Sequence, residues 1–184
     1  MSPITLVSPA RAWLATAGER IDRLSPRTLG ALAMLAAGSA LGLALASEYW
    51  GGLLPCSLCL LERWPYRIAI LLGALAVVAP RTLVRPLIWL IAATMLVNVG
   101  LALIHVGVEQ HLWQNPIADC AAPAVHGSVM DRLLQLSGRP PQPCDRASYL
   151  IPFLPLSMAA MNALYALAIA GVLAAFLVRH PRAS

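Results

Sequence analysis

Long apolar runs separated by short polar breaks dominate the chain. The first extends from about Thr28 to Ala46, the second from about Cys59 to Ala79, the third from about Leu87 to Val106 and the fourth from about Phe153 to Val178. Each is long enough, at 1.5 Å per residue, to cross a hydrocarbon core of about 30 Å as a helix. The pattern predicts an all-α membrane protein: a four-transmembrane-helix bundle. Gly38, Ser39 and Gly42 in the first run suit close helix packing. Ala44-Leu45-Ala46 also resembles a signal-peptidase site, but the region before it is long for a signal peptide and the apolar run exceeds a usual h-region, so a retained helix is expected.

The breaks are unequal. Glu48-Tyr49-Trp50-Gly51-Gly52 reads as an interfacial turn, and Arg81, Arg85 and Pro86 as a tight basic hairpin. The one long polar stretch, Gly107 to Tyr149, holds five of the fifteen prolines. Within it, Val129 to Leu136 has apolar side chains at helical spacing, which predicts a short interfacial helix. Residues 1–27 form an amino-terminal segment in which Ala12 to Leu24 is either another interfacial helix or an unstructured tail. The expected organisation is that segment, a bundle over 28–178 with its long loop at about 107–150, and a short tail at 179–184.

Composition agrees with the pattern. The 184 residues are 59% hydrophobic and 11% charged, against about 25% charged in a soluble domain. The formal charge is +5 and every basic residue is arginine. Arg20, Arg23, Arg27, Arg81, Arg85, Arg179 and Arg182 flank the runs on one side, so the positive-inside rule places both termini in the cytoplasm. The arginines form no separate soluble patch, so no nucleic-acid partner is expected.

All four cysteines then lie on the opposite face. Cys56 and Cys59 form a C-x-x-C where the second run begins; Cys120 and Cys144 lie in the long loop. Four cysteines allow three pairings. Thiols at a helix start face unpaired N–H groups and the positive end of the dipole, which enriches the reactive thiolate. Arg63 shares a helical face with Cys59 and can stabilise a thiolate or an anionic partner there. Snorkelling is the plain alternative for Arg63, while Arg67, a turn deeper, needs a partner or a polar pocket. Zinc is not expected: the second cysteine pair is widely spaced and interleaved with prolines, and His105, His111 and His126 read as interfacial side chains. A Cys120–Cys144 disulfide would contribute about 3 kcal/mol as a staple, but a staple does not explain a C-x-x-C beside an arginine.

The run C-x-x-C-x-x-E-R opening the second of four spans, followed by a spaced cysteine pair in the long loop, resembles the DsbB family. The stretches Gly51 to Cys56, Arg63-Trp64-Pro65-Tyr66 and Pro143-Cys144-Asp145 are similar as well. In the vitamin K epoxide reductase-like proteins, which also pair thiols with quinones, the C-x-x-C comes late in the chain.

The DsbB resemblance implies a monomeric, multi-pass protein of the bacterial inner membrane, with its active cysteines in the periplasm. It implies a thiol:quinone oxidoreductase that reoxidises a DsbA-like thioredoxin-fold partner. Cys120 would be attacked by that partner, Cys144 would then attack Cys56, and Cys59 would face ubiquinone or menaquinone beside Arg63. Glu62 takes the family's acidic position beside that arginine. The alternatives are a paralogue serving another thioredoxin-like protein and a non-catalytic membrane module with a structural disulfide. His105, His111 and Arg67 receive no role from the resemblance.

Overall fold

Four helices follow one another along the chain, and their ends are set by local chemistry. The computed structural model describes residues 24–114, 143–149 and 155–180. Helix α1 spans Pro26–Tyr49, α2 Ser57–Val78, α3 Arg81–Glu109 and α4 Met158–Arg179. Among the described residues there are no strands. The expected interfacial segments at Ala12–Leu24 and Val129–Leu136 lie outside the described residues, Leu24 excepted, as does Cys120.

Helix α1 starts on Ser25, whose hydroxyl accepts the Thr28 N–H at 3.1 Å, with Pro26 in the first turn where no donor is lost. It runs to Tyr49, so Glu48 and Tyr49 belong to its last turn rather than to the expected interfacial break. Gly52 reverses the chain at φ 68°, a left-handed conformation that favours glycine. Helix α3 begins at Arg81 itself, directly after Pro80, and the basic hairpin expected over Arg81–Pro86 is instead its first turns. Pro86 lies inside the helix, in its second turn, and leaves the Thr82 carbonyl without its usual intrahelical donor. Helix α4 is capped by Ser157, which accepts the Ala160 N–H at 3.2 Å.

The helices alternate in direction, which gathers their ends by type. At one end Arg27 donates to the Ala79 carbonyl at 2.9 Å. Arg85 there donates to the carbonyls of His180 and, at 2.7 Å, Leu177. The cysteines lie at the other end. In sequential order the helices pack α1 on α2, α2 on α3 and α3 on α4, whereas α1 meets α4 only sparsely.

The core is built largely of alanine, including Ala33, Ala37, Ala69, Ala76, Ala92, Ala102, Ala166 and Ala170. Large apolar side chains such as Leu35, Leu71, Leu96, Val97 and Leu164 point outward. This inversion of the soluble pattern suits lipid, where close backbone approach rather than apolar burial holds helices together. Helices α1, α3 and α4 are each long and apolar enough to cross a membrane. Helix α2 is the polar exception, because Glu62, Arg63 and Arg67 fall within its first three turns.

The α1–α2 contact is tight enough to test. A Cβ on Gly73 would stand 2.7 Å from Met34 Cβ and 2.9 Å from the Gly30 carbonyl oxygen. Gly73→Val must push the two helices apart, at a cost of about 1–3 kcal/mol. A lowered midpoint is expected for thermal unfolding in detergent micelles; an unchanged one would show that the helices do not meet there.

Candidate functional site

Cys56 is the N-cap of α2. Its sulfur accepts the Cys59 backbone N–H at 3.1 Å, a role usually taken by Ser, Thr, Asp or Asn. The Cys59 thiol lies beside it, with the two sulfurs 2.7 Å apart. The hydrogen bond between the two side chains, together with the backbone N–H groups, holds the Cys56 thiol below its ordinary value against the opposing effect of burial. Both thiols are free, and the sulfurs need to close by only about 0.7 Å to reach disulfide bonding distance.

A directed hydrogen-bond network stands behind the pair. The Glu62 carboxylate receives His105 Nδ1–H at 2.7 Å on one oxygen and Asn162 Nδ2–H at 2.7 Å on the other. The Asn162 carbonyl in turn accepts Tyr66 O–H at 2.5 Å and Asn98 Nδ2–H at 3.4 Å. Facing the Glu62 carboxylate, His105 holds a proton on Nδ1, and in its neutral form this leaves the Nε2 lone pair pointing away from Glu62. That nitrogen lies 3.5 Å from Cys56 Sγ. Glu62, Asn98 and His105 are all buried, and a buried charge is tolerable only when its lone pairs are taken up in this way.

The bond from α4 to α2 through Asn162 spans a gap. Helices α2 and α4 make little backbone contact, and between them and α1 opens a cavity of about 470 Å³. Its walls are mostly apolar, from Leu41, Leu43, Leu53, Leu54, Met158 and Met161, with Cys59, Arg63 and the Glu62–His105–Asn162 network on one side. Arg63 is fixed by an ion pair with Glu48 at 2.6 Å, their side chains 10% and 24% exposed. This pairing, rather than snorkelling, accounts for an arginine one turn into the helix. Arg67 lies outside the site, exposed, with its guanidinium 5.1 Å from the Trp64 ring centroid.

Cys144 completes the picture. It is fully buried, disulfide-bonded, and packed in one apolar cluster with Cys56, Leu58 and Val108. The segment that carries it is tied to α4 by Met158 N–H donating to the Ser148 carbonyl at 2.8 Å. Since Cys56 and Cys59 are both free, the Cys144 disulfide involves neither of them. Cys56 thus belongs to the Cys144 cluster, whereas Cys59, which packs against that cluster, is the one of the pair that also lines the cavity.

Six residues of this site escape a reading of the chain alone: Glu48, Tyr66, Asn98, His105, Asn162 and Glu109, whose Oε1 lies 3.9 Å from His105 Nε2. A signal was present for three of them. Asn98, His105 and Glu109 fall at helical spacing in an otherwise apolar helix, and polar side chains inside a span usually mark a site. His111 is not part of the site; it is exposed, at φ 56°, and its N–H bonds to the Val108 carbonyl as α3 ends.

Alanine-cored helices with lipid-facing leucines and a buried, hydrogen-bonded dithiol at one end define a class: a helical membrane protein built around thiol chemistry. The chain belongs to the disulfide bond formation protein DsbB family, which matches it over residues 26–176. No curated protein and no solved structure matches it. Family membership makes it a membrane oxidoreductase of disulfide bond formation.

Proposed function

We propose that the protein is a thiol:quinone oxidoreductase that reoxidises a periplasmic, DsbA-like thioredoxin-fold partner. The observation that carries this reading is the two-sidedness of the C-x-x-C: Cys56 packs with Cys144, and Cys59 lines an apolar cavity. The cavity suits a flat, lipid-soluble ring such as ubiquinone or menaquinone. Its volume falls within the usual range for small-molecule pockets, its walls are mostly apolar, and Cys59, Arg63 and the Glu62–His105–Asn162 network are among its polar groups. A quinone bound there supplies an acceptor for two electrons and two protons.

The residues divide the work. The partner's thiolate attacks Cys120 in a Cys120–Cys144 disulfide, forming a mixed disulfide and releasing the Cys144 thiolate. The partner's second thiol then attacks its own sulfur in that mixed disulfide, leaving as an oxidised protein and freeing Cys120. Cys144 attacks Cys56 of an oxidised Cys56–Cys59 pair and releases Cys59 as a thiolate. Cys120 closes the loop disulfide again, and Cys56 leaves as the second thiolate. Two electrons then reside on the C-x-x-C, the condition in which both of its thiols are free. His105 Nε2 faces Cys56 and can hold its proton, while Glu62 fixes the imidazole tautomer. Arg63, its charge balanced by Glu48, presents its remaining N–H donors beside Cys59.

Arg27, Arg81, Arg85 and Arg179 mark the cytoplasmic end, with both termini inside and the cysteines periplasmic, in the bacterial inner membrane. On this reading α2 is the fourth crossing, its charged turns shielded by the other helices, and residues 28–178 act as one unit. The protein works as a monomer among lipid and quinone.

The partner step is tested by trapping. In Cys144→Ser, Cys120 is a lone thiol that attacks the disulfide of the oxidised partner, with no neighbouring Cys144 to reclaim it, so a mixed disulfide with a DsbA-like protein is expected on non-reducing gels and is identified by mass spectrometry. If Cys120 captures no such protein in this variant, the partner assignment fails.

A further inference from the structure

Three sulfur and nitrogen donors converge at the head of α2. Cys56 Sγ, Cys59 Sγ and His105 Nε2 all lie within 4.8 Å of one another. The Nε2 lone pair is turned toward the sulfurs because Glu62 holds the opposite ring nitrogen at 2.7 Å. A histidine ligand is usually oriented in this way, with a carboxylate on its other nitrogen fixing the tautomer and raising its basicity.

A second, independent observation comes from α3. Glu109, one helical turn beyond His105, has a side chain only 2% exposed, and its Oε1 lies 3.9 Å from His105 Nε2. Its other oxygen, Oε2, is buried without a hydrogen-bond partner among the described residues, with the Ser157 side chain beside the carboxylate. Glu109 stands on the His105 side, outside the cluster of three donors, and becomes the fourth corner of such a site by closing toward the ion.

We propose that the reduced C-x-x-C is also a binding site for a thiophilic d10 cation, with Cys56, Cys59, His105 and Glu109 as ligands. The donor set selects the class. Two thiolates with imidazole favour zinc-like or cuprous ions over magnesium or calcium, which take oxygen. With bonds of about 2.3 Å to sulfur, a tetrahedral ion spreads the two thiolates to about 3.8 Å. The sulfurs, now 2.7 Å apart, must therefore open, a movement opposite to disulfide closure. Binding replaces one proton on each thiol with the metal and involves no electron transfer: two protons leave and the ion enters. The same electron pairs are then unavailable for oxidation, so the metal holds the pair reduced and stops turnover. Only the reduced pair binds, because a disulfide has no thiolate to offer.

The test uses the full chain in detergent micelles, reduced with a phosphine, free of quinone, and with Cys120→Ser and Cys144→Ser so that only the helix pair remains. Zn2+ is titrated against a chelating indicator, and its ligands are read by X-ray absorption. One zinc per chain is expected, with two sulfurs at about 2.3 Å and a nitrogen at about 2.0 Å. Glu109→Gln and Glu62→Gln should each weaken binding tenfold or more, through the fourth ligand and the orientation of His105. No zinc, a sulfur-only shell, or affinities unchanged in both variants would overturn the site. Quinone plays no part in this measurement, so its failure leaves the electron-transfer reading standing, and the reverse holds as well.

Discussion

Cys59→Ser is expected to bring quinone reduction to background. It is the sulfur that lines the cavity, beside an arginine locked by Glu48. Serine preserves the shape of the site but cannot form the Cys56–Cys59 disulfide that Cys144 must attack. A loss of roughly 10³-fold or more is expected, the scale on which removing a reacting nucleophile acts. Quinone absorbance with a reduced thioredoxin-fold dithiol as donor measures it directly. The helices should be undisturbed, since Cys59 contributes to the α2 cap through its backbone N–H, which serine retains. Quinone reduction at the wild-type rate in this variant would sink the assignment of the cavity as the acceptor site.

Glu62 should matter almost as much, in a way that two substitutions separate. Glu62→Ala leaves the buried His105 and Asn162 donors without their shared acceptor. Breaking a buried charged pair by removing one partner costs about 3–5 kcal/mol, so thermal unfolding in micelles should shift markedly downward. Glu62→Gln keeps the volume and one acceptor for Asn162, but turns an N–H toward His105. The imidazole must then accept at Nδ1 and carry its proton on Nε2, pointing it at Cys56. Stability should largely survive while turnover falls by about 10²–10⁴-fold, the usual contribution of a positioned proton acceptor. Nitrogen NMR of labelled histidine distinguishes the two tautomers. An unchanged tautomer with unchanged turnover would remove His105 from the proton path.

Most of the architecture was legible in the chain. Four apolar runs, each long enough to cross a bilayer, predict helices that the structure contains at Pro26–Tyr49, Ser57–Val78, Arg81–Glu109 and Met158–Arg179. The boundaries moved where polar residues sat at helix ends. Glu48 and Arg81 read as breaks because a charge interrupts an apolar run. In the folded chain each is helical, since helix hydrogen bonding continues through charged residues when their side chains reach a partner or the surface.

The sequence alone determined the class of chemistry: a C-x-x-C at a helix start with a glutamate and an arginine one turn on. Those are local relations, fixed by 3.6 residues per turn. Tertiary structure decided which side of that pair does what. Cys56 meets Cys144, and Cys59 meets the cavity, only because α2 is rotated between α1, α3 and the segment before α4. The partners of the buried charges were decided in the same way. Glu48 for Arg63, His105 and Asn162 for Glu62 are separated by between 15 and 100 residues. No periodicity encodes such pairings; they arise because a charge carried into a helical bundle must find its counterpart among whichever side chains the packing brings within reach.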